Sequence, residues 1–260
     1  MFRHFNITMM RAIIGRGLAD QFQSSYLGAL WLFLHPLVMI GIYTVVFSGL
    51  MRATLPGSED VPFGFSIYLC SGLIPWLLFS DTVTRITSGF LAYSGTLKNS
   101  ALSLASVPFI VIALVTVNFV IMLFLFLGFL LIVGKVPSVT WLFALPLFLI
   151  QSVMGGSLGL IAGIINVFFR DLGQAVVIIM QLWFWITPIV YTKAVLSGRF
   201  ASILELNPIA PLIDGYQGIF LFDRAPTLDN VYVPLLFSTA TLFVAFVIFN
   251  RVKFELADSL

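Results

Sequence analysis

Apolar positions gather into six long runs along this chain, Leu30–Met51, Phe63–Phe90, Val107–Gly134, Trp141–Phe169, Ala175–Tyr191 and Val231–Phe249, and polar positions fall between them. Each run is near or above the ~20 residues a helix needs to cross a bilayer, so the pattern predicts an all-α membrane protein with six transmembrane helices. Ahead of the first run, Phe2, Phe5, Met9, Ala12 and Ile13 share one helical face, with Arg3 and Arg11 off it. That is the signature of an N-terminal interfacial helix. The stripe is imperfect beyond Gly15, and a plain cytoplasmic lead-in fits equally.

Two connections stand out. The segment Leu91 to Ser106 is polar, serine-rich and short, compatible with one small projecting helix or with a simple turn. The segment Thr192 to Asn230 contains a stretch, Ile203 to Phe222, apolar enough to enter a membrane. Glu205, Asn207-Pro208, Pro211, Asp214, Gly215 and Gly218 interrupt it too often for a single span. A broken or re-entrant pair of short helices fits, because irregular backbone at membrane depth must be covered by protein or face a water-filled cavity. An interfacial loop with two apolar anchors fits the composition as well.

Composition sharpens the class: 60% of the 260 residues are hydrophobic and only 9% are charged, a balance no soluble single domain carries. Arg3, Arg11, Arg16, Lys98, Arg170, Arg251 and Lys253 fall on one side of the alternating topology, and Arg52, Lys135, Lys193, Arg199 and Arg224 on the other. The positive-inside rule then puts both termini in the cytoplasm. The single cysteine, Cys70, excludes an intrachain disulfide and a cysteine metal cluster. No apolar h-region with a small-residue cleavage site follows the first arginines, so no cleavable signal peptide is expected.

Catalytic motifs are few. Gly155-Gly156-Ser157-Leu158-Gly159 matches the G-x-S-x-G pattern of serine hydrolases, which makes an intramembrane hydrolase using Ser157 an alternative reading. Its base would have to be His4 or His35, both far along the chain. Gly155, Gly159 and Gly163 recur every fourth residue, which is the small-residue stripe that lets helices approach closely in lipid. Gly134-Lys135-Val136 is the only Gly-Lys pair and lacks the rest of a P-loop. No metal-binding pattern occurs. Asp81 and Arg85 lie one turn apart in the second run, a candidate ion pair that lines a cavity or braces the fold. Among 27 Phe, 7 Tyr and 5 Trp, Trp183, Thr187 and Tyr191 share a helical face, and Phe33, Ile40, Tyr43 and Phe47 form a comparable stripe. Aromatic rings with few charges suit the C–H faces of sugars, but the same residues suit membrane-interface belts.

Several segments, in order along nearly the whole chain, resemble a known family. Ser24-Ser25-Tyr26-Leu27-Gly28-Ala29-Leu30-Trp31 with Pro36-Leu37, Gly72-Leu73-Ile74-Pro75-Trp76, and Asn166-Val167-Phe168-Phe169-Arg170-Asp171-Leu172 are the first three. Thr187-Pro188-Ile189-Val190-Tyr191, Asn207-Pro208-Ile209-Ala210 and Ile248-Phe249-Asn250-Arg251-Val252-Lys253-Phe254 complete the set. Together they are similar to the permease subunit of ABC-type exporters for lipid-linked polysaccharide and polyol phosphate, of the O-antigen type. The chain departs from that pattern at Ala19-Asp20-Gln21-Phe22-Gln23, which is not basic, and in the segment 97–108.

The resemblance implies a homodimer of six-span subunits in the bacterial inner membrane, partnered by two copies of a cytoplasmic ABC ATPase. It implies export of undecaprenyl-diphosphate-linked O-antigen polysaccharide through a channel in the dimer. ATP and Mg would bind the partner; no cofactor and no nucleic acid is implied for this chain. The chain then divides into an N-terminal segment 1–29, a six-span domain 30–250 and a cytoplasmic tail 251–260. Within the domain, 91–106 is the ATPase-coupling segment and 192–230 the periplasmic re-entrant gate.

Expected site residues are Tyr43, Phe47, Trp183, Thr187 and Tyr191 for the substrate path, and Leu97, Lys98, Asn99 and Ser100 for coupling. Asn207, Pro208, Pro211 and Tyr216 would form the gate, and Arg170 and Asp171 the cytoplasmic turn. A non-transporting membrane scaffold is the remaining alternative. Because the P-loop is missing, the purified chain alone is expected to hydrolyse no ATP, measured as phosphate release; hydrolysis by this chain alone would overturn the permease reading.

Overall fold

The structure is a computed structural model that describes residues 7–23, 28–46, 61–99, 102–192 and 206–260. Among them the regular elements are helices: α1 Ile7–Gln23, α2 Gly28–Tyr43, α3 Gly64–Ala92, α4 Ser94–Asn99, α5 Ser106–Ile132, α6 Ala144–Phe168, α7 Leu172–Ile186, α8 Ala210–Phe222 and α9 Leu228–Ser259. A 3-10 turn, Val139–Phe143, leads into α6. Among the described residues four helices are long and apolar enough to cross a membrane: α3, α5, α6 with its lead-in, and α9.

The other two apolar runs behave differently. The helix of the fifth, α7, has 15 residues, about 22 Å at 1.5 Å per residue against a hydrocarbon core of ~30 Å. It stops at Thr187, whose φ and ψ of −94° and 133° are extended, because Pro188 disfavours a helical residue before it. The first run forms α2, and its end, 47–51, lies outside the described residues.

Helix α3 is the hub. It packs against α2, α5, α6, α7 and α8, while α9 lies along α6. The α3–α6 contact is set by the glycine stripe. A Cβ on Gly159 would stand 2.9 Å from Ile86 Cβ and 3.2 Å from the Val83 backbone, and one on Gly163 2.9 Å from the Ile86 carbonyl oxygen. Van der Waals packing rather than water exclusion associates helices in lipid, so this close seat is a main source of the bundle's stability. Hydroxyls on α3 are satisfied within the helix, Thr82 to Leu78 O at 2.7 Å and Thr87 to Val83 O at 2.7 Å, which makes them tolerable among apolar neighbours.

The chain segments sort to two ends. At one, a separate apolar cluster joins Phe90 and Leu97 with Leu102, Val107 and Val167, and takes in Leu256 of α9, with Met9, Met10, Ile13, Ile14 and Leu18 of α1 packed against it. The face α1 turns inward is therefore centred on Met9–Met10 and Ile13–Ile14, whereas Ala12 is exposed. This differs from the stripe read in the sequence, because α1 is drawn against α5, where Gly17 approaches Leu114. Phe2 and Phe5 lie outside the described residues. Helix α9 continues past Phe249 to Ser259, and Leu256 is fully buried.

At the opposite end lies α8, 13 residues long and buried along nearly its whole length, too short at about 20 Å to span a bilayer. Proline opens its first turn, where a missing N–H costs nothing, and Asp223 in the left-handed region (φ 49°) closes it. The remainder of the expected re-entrant pair, 193–205, lies outside the described residues.

The glycine stripe yields a direct test. Gly159→Ala is expected to destabilise the chain by about 1–3 kcal/mol through overpacking, whereas Gly128→Ala, where a Cβ meets nothing within 4 Å, is expected to stay within ~0.5 kcal/mol. Unfolding in mixed micelles separates the two; equal effects would refute the close α3–α6 seat.

Candidate functional site

Burial of α3 by its neighbours leaves one strip of the helix open, and beside it runs a groove of about 450 Å³ between α2, α3 and α7. Its walls are aromatic and aliphatic: Tyr43 and Met39 from α2, Leu73, Trp76 and Leu77 from α3, and Val177, Met180, Phe184 and Trp185 from α7. The polar lining groups are Ser80, Thr84 and Gln181. Stacking faces with a few neutral hydrogen-bonding groups suit a sugar, whose C–H faces are apolar and whose hydroxyls are not. Asp81 and Arg85, next to Ser80 and Thr84 on α3, form the ion pair anticipated from the sequence, with Nη2 to Oδ2 at 3.0 Å and both side chains nearly half exposed.

Of the residues expected on the substrate path, Tyr43 lines this groove, and Phe47 lies outside the described residues. Trp183 and Thr187 are turned elsewhere, into a buried hydrogen-bond chain with Asn207. The Trp183 Nε1–H donates to Asn207 Oδ1 at 2.9 Å, Asn207 Nδ2 donates to Thr187 Oγ1 at 3.0 Å, and Thr187 Oγ1 donates to the Trp183 carbonyl at 2.9 Å. Asn207 Oδ1 also accepts from Ile209 N at 3.2 Å. The Trp183 ring stands edge-on to Phe79 with centroids 5.4 Å apart and meets Trp76 at 6.5 Å. Asn207 thus ties the end of α7 to the start of α8.

Neighbouring bonds do the same work. Gln217 Nε2 donates to Pro188 O at 3.3 Å, and the Tyr68 hydroxyl to Tyr191 O at 3.0 Å. The Tyr191 hydroxyl donates to Trp185 O at 2.8 Å, so Tyr191 braces the backbone of a groove residue. Apart from Tyr43 the sequence reading passed over the lining residues, among them Trp76, Gln181, Phe184 and Trp185. Gln181 was the available signal: it is an amide within an apolar helix, spaced by four from Val177 and Trp185.

The other expected gate residues surround α8. Pro208 sits in the turn before it, Pro211 O accepts from Asn230 Nδ2 at 2.7 Å, and Tyr216 is fully buried with its hydroxyl lacking a hydrogen-bond partner. Lys135 occupies the C-terminus of α8. Its ammonium donates to Phe220 O at 2.8 Å, to Leu221 O and to Asp223 Oδ2 at 3.1 Å, so the Gly-Lys pair caps a helix. Arg224 approaches Asp214 at 3.9 Å.

At the α4 end, Leu97 is buried in the local apolar cluster and Lys98 is exposed. The Asn99 side chain and Ser100 lie outside the described residues. Arg170 and Asp171 form an exposed turn. Beside it the buried Asn166 joins three elements, donating from Nδ2 to Thr87 O at 3.0 Å and accepting from Gly173 N at 2.7 Å. Ser157 of the G-x-S-x-G pattern donates to Met154 O at 3.0 Å and shares a 2.7 Å hydrogen bond with Thr241 Oγ1. The glycines of that pattern face α3, so the motif serves packing.

Comparison with known proteins follows the same outline. The ABC-2 type transporter family matches residues 8–221. The O-antigen export system permease protein RfbA of Klebsiella pneumoniae is 28% identical over 255 residues, 97% of this chain and 95% of its own. The protein of the same name from Myxococcus xanthus is 30% identical over 256 residues, with the same two coverages. The polysialic acid transport protein KpsM of Escherichia coli is 22% identical over 206 residues, 79% of this chain and 78% of its own.

The Trp183–Asn207–Thr187 chain is expected to behave as one unit. Asn207→Ala leaves a buried indole N–H and a backbone N–H without their acceptor, at a cost of about 1–3 kcal/mol. Trp183→Phe removes the donor and is expected to weaken the fold in the same range, and the double variant by clearly less than the sum. Additive losses in micellar unfolding would show that the two do not act together.

Proposed function

This chain belongs to the ABC-2 type transporter family, and from that premise we propose that it carries undecaprenyl-diphosphate-linked O-antigen polysaccharide across the bacterial inner membrane, as a homodimer with two cytoplasmic ATPases. It is a multi-pass membrane permease subunit of an ABC exporter, with curated relatives named for O-antigen export. A transport component of this kind works with an ABC ATPase, which supplies the energy.

The observation that carries the proposal is the groove beside α3. A glycan sliding through a membrane needs many weak contacts and no deep trap, and rings at Tyr43, Phe184 and Trp185 offer such contacts at about 0.5–1.5 kcal/mol each. In this reading α2 and α7 stand as the remaining two of six spans, α7 being a short helix continued by the non-helical segment 187–192. A second copy of the chain closes the open side of the groove, and α8 with the segment before it gates the periplasmic mouth, Asn207 transmitting movement between α7 and α8.

The opposite end is then cytoplasmic. There α4, with Lys98 exposed and Leu97 anchored, offers a projecting surface for the ATPase beside the Arg170–Asp171 turn. Helix α1 and the last turns of α9 lie at this end, and α1 presents Arg11 and Arg16 outward, in keeping with the positive-inside rule. ATP and Mg bind the partner subunit.

Single alanine changes in the groove are expected to slow export only slightly, since each contact is weak. Tyr43→Ala combined with Trp185→Ala is expected to reduce surface polysaccharide severalfold while membrane insertion and association with the ATPase persist. Undiminished surface polysaccharide from a stably assembled double variant would remove the groove from the transport path.

A further inference from the structure

The charges beside the groove carry information about its cargo. None of its twelve lining residues is Lys, Arg, Asp or Glu. The nearest charges along α3 are Asp81 and Arg85, each adjacent in sequence to a lining residue, and they are joined to each other at 3.0 Å. The pair brings no net charge to the open strip of α3. The other cations at the α4 end belong to different elements: Lys98 on α4, Arg170 in the turn before α7, Arg11 and Arg16 on α1, and Arg251 and Lys253 on α9.

We propose that this chain selects an uncharged glycan, with Asp81 acting as the specificity-determining residue that cancels Arg85 beside the groove. The inference rests on the groove being the glycan path. An anionic polymer moving along a low-dielectric, uncharged wall loses hydration without gaining a partner for its carboxylates. An unpaired arginine in the same place would bind those carboxylates bidentately and hold the chain. With the guanidinium already engaged by Asp81, neither the attraction nor the trap operates, while ring stacking and the neutral groups of Ser80, Thr84 and Gln181 serve a neutral sugar equally well in every repeat. Specificity here is a difference of affinities set by a charge that is cancelled, not by an added contact.

The test uses the permease assembled with its ATPase in nanodiscs, with two probes of similar length: a neutral oligomannoside and an oligosialic acid. Binding is measured at physiological and at high salt. The wild-type complex is expected to favour the neutral probe. Asp81→Asn exposes the Arg85 charge and is expected to move the affinity ratio toward the anionic probe by roughly tenfold, an effect lost at high salt. Asp81→Asn with Arg85→Gln restores the original ratio. Trp185→Ala lowers affinity for the neutral probe in every background.

A wild-type preference for oligosialic acid, or an unchanged ratio in Asp81→Asn, overturns the selectivity while leaving the path intact, provided Trp185→Ala still weakens binding. Binding of either probe that ignores Trp185→Ala, or no binding of either, overturns the path itself and the inference with it. A misfolded Asp81→Asn complex is met by Arg85→Gln alone, which leaves Asp81 as a net negative charge and is expected to weaken oligosialic acid relative to oligomannoside; no such shift overturns the proposal.

Discussion

The seat of α6 on α3 is the constraint from which the rest of the structure follows. Close approach at Gly155, Gly159 and Gly163 puts side chains of α3 against the main chain of α6, and its backbone too at Gly159 and Gly163, where there is no room for a methyl group. In lipid this close packing replaces the hydrophobic effect as the source of association. Once α6 occupies that side, α5 and α8 cover others, and α3 is left with a single open strip. The groove is what remains of α3 when its neighbours are in place.

Short helices at membrane depth need more than apolar contact to stay where they are. Neither α7 nor α8 reaches across a bilayer, and each is tied down by buried amides: Asn207 between α7 and α8, Gln217 to Pro188, Asn166 between α3, α6 and α7. An amide in apolar surroundings holds strongly, because breaking its bonds leaves groups that cannot find water. Each of these side chains bridges elements that packing alone would leave free to slide. Charge serves the same purpose at the α8 end, where Lys135 engages the last carbonyls of the helix and Asp223, a cation placed against the negative end of the helix dipole.

At the opposite end, helices far apart in sequence converge on one apolar cluster. Leu97 of α4, Leu256 near the end of α9 and the inward face of α1 share it. A six-residue helix such as α4 has almost no intrinsic stability, so its position depends on this cluster, and through it on α1 and the last turns of α9. Helix α4 is therefore braced by α1 and by the last turns of α9.

What the sequence determined by itself was the class of molecule and the family. Blocks of about twenty apolar residues, the scarcity of charge and the missing P-loop are local properties that need no tertiary contact to read. The four-residue glycine spacing and the i,i+4 relation of Asp81 and Arg85 are equally local, and both features formed as the pattern implied. The direction in which each aromatic points was decided only by the tertiary structure. Trp183 and Trp185 are two residues apart on one helix, about 200° around it, and the spacing that groups Trp183 with Thr187 and Tyr191 does not say which face meets the groove. Asn207 drew Trp183 toward α3 and α8, and the same rotation turned Trp185, Gln181 and Phe184 to the groove. Helical periodicity fixes which residues share a face; which face meets the core depends on a hydrogen bond to a residue outside that helix.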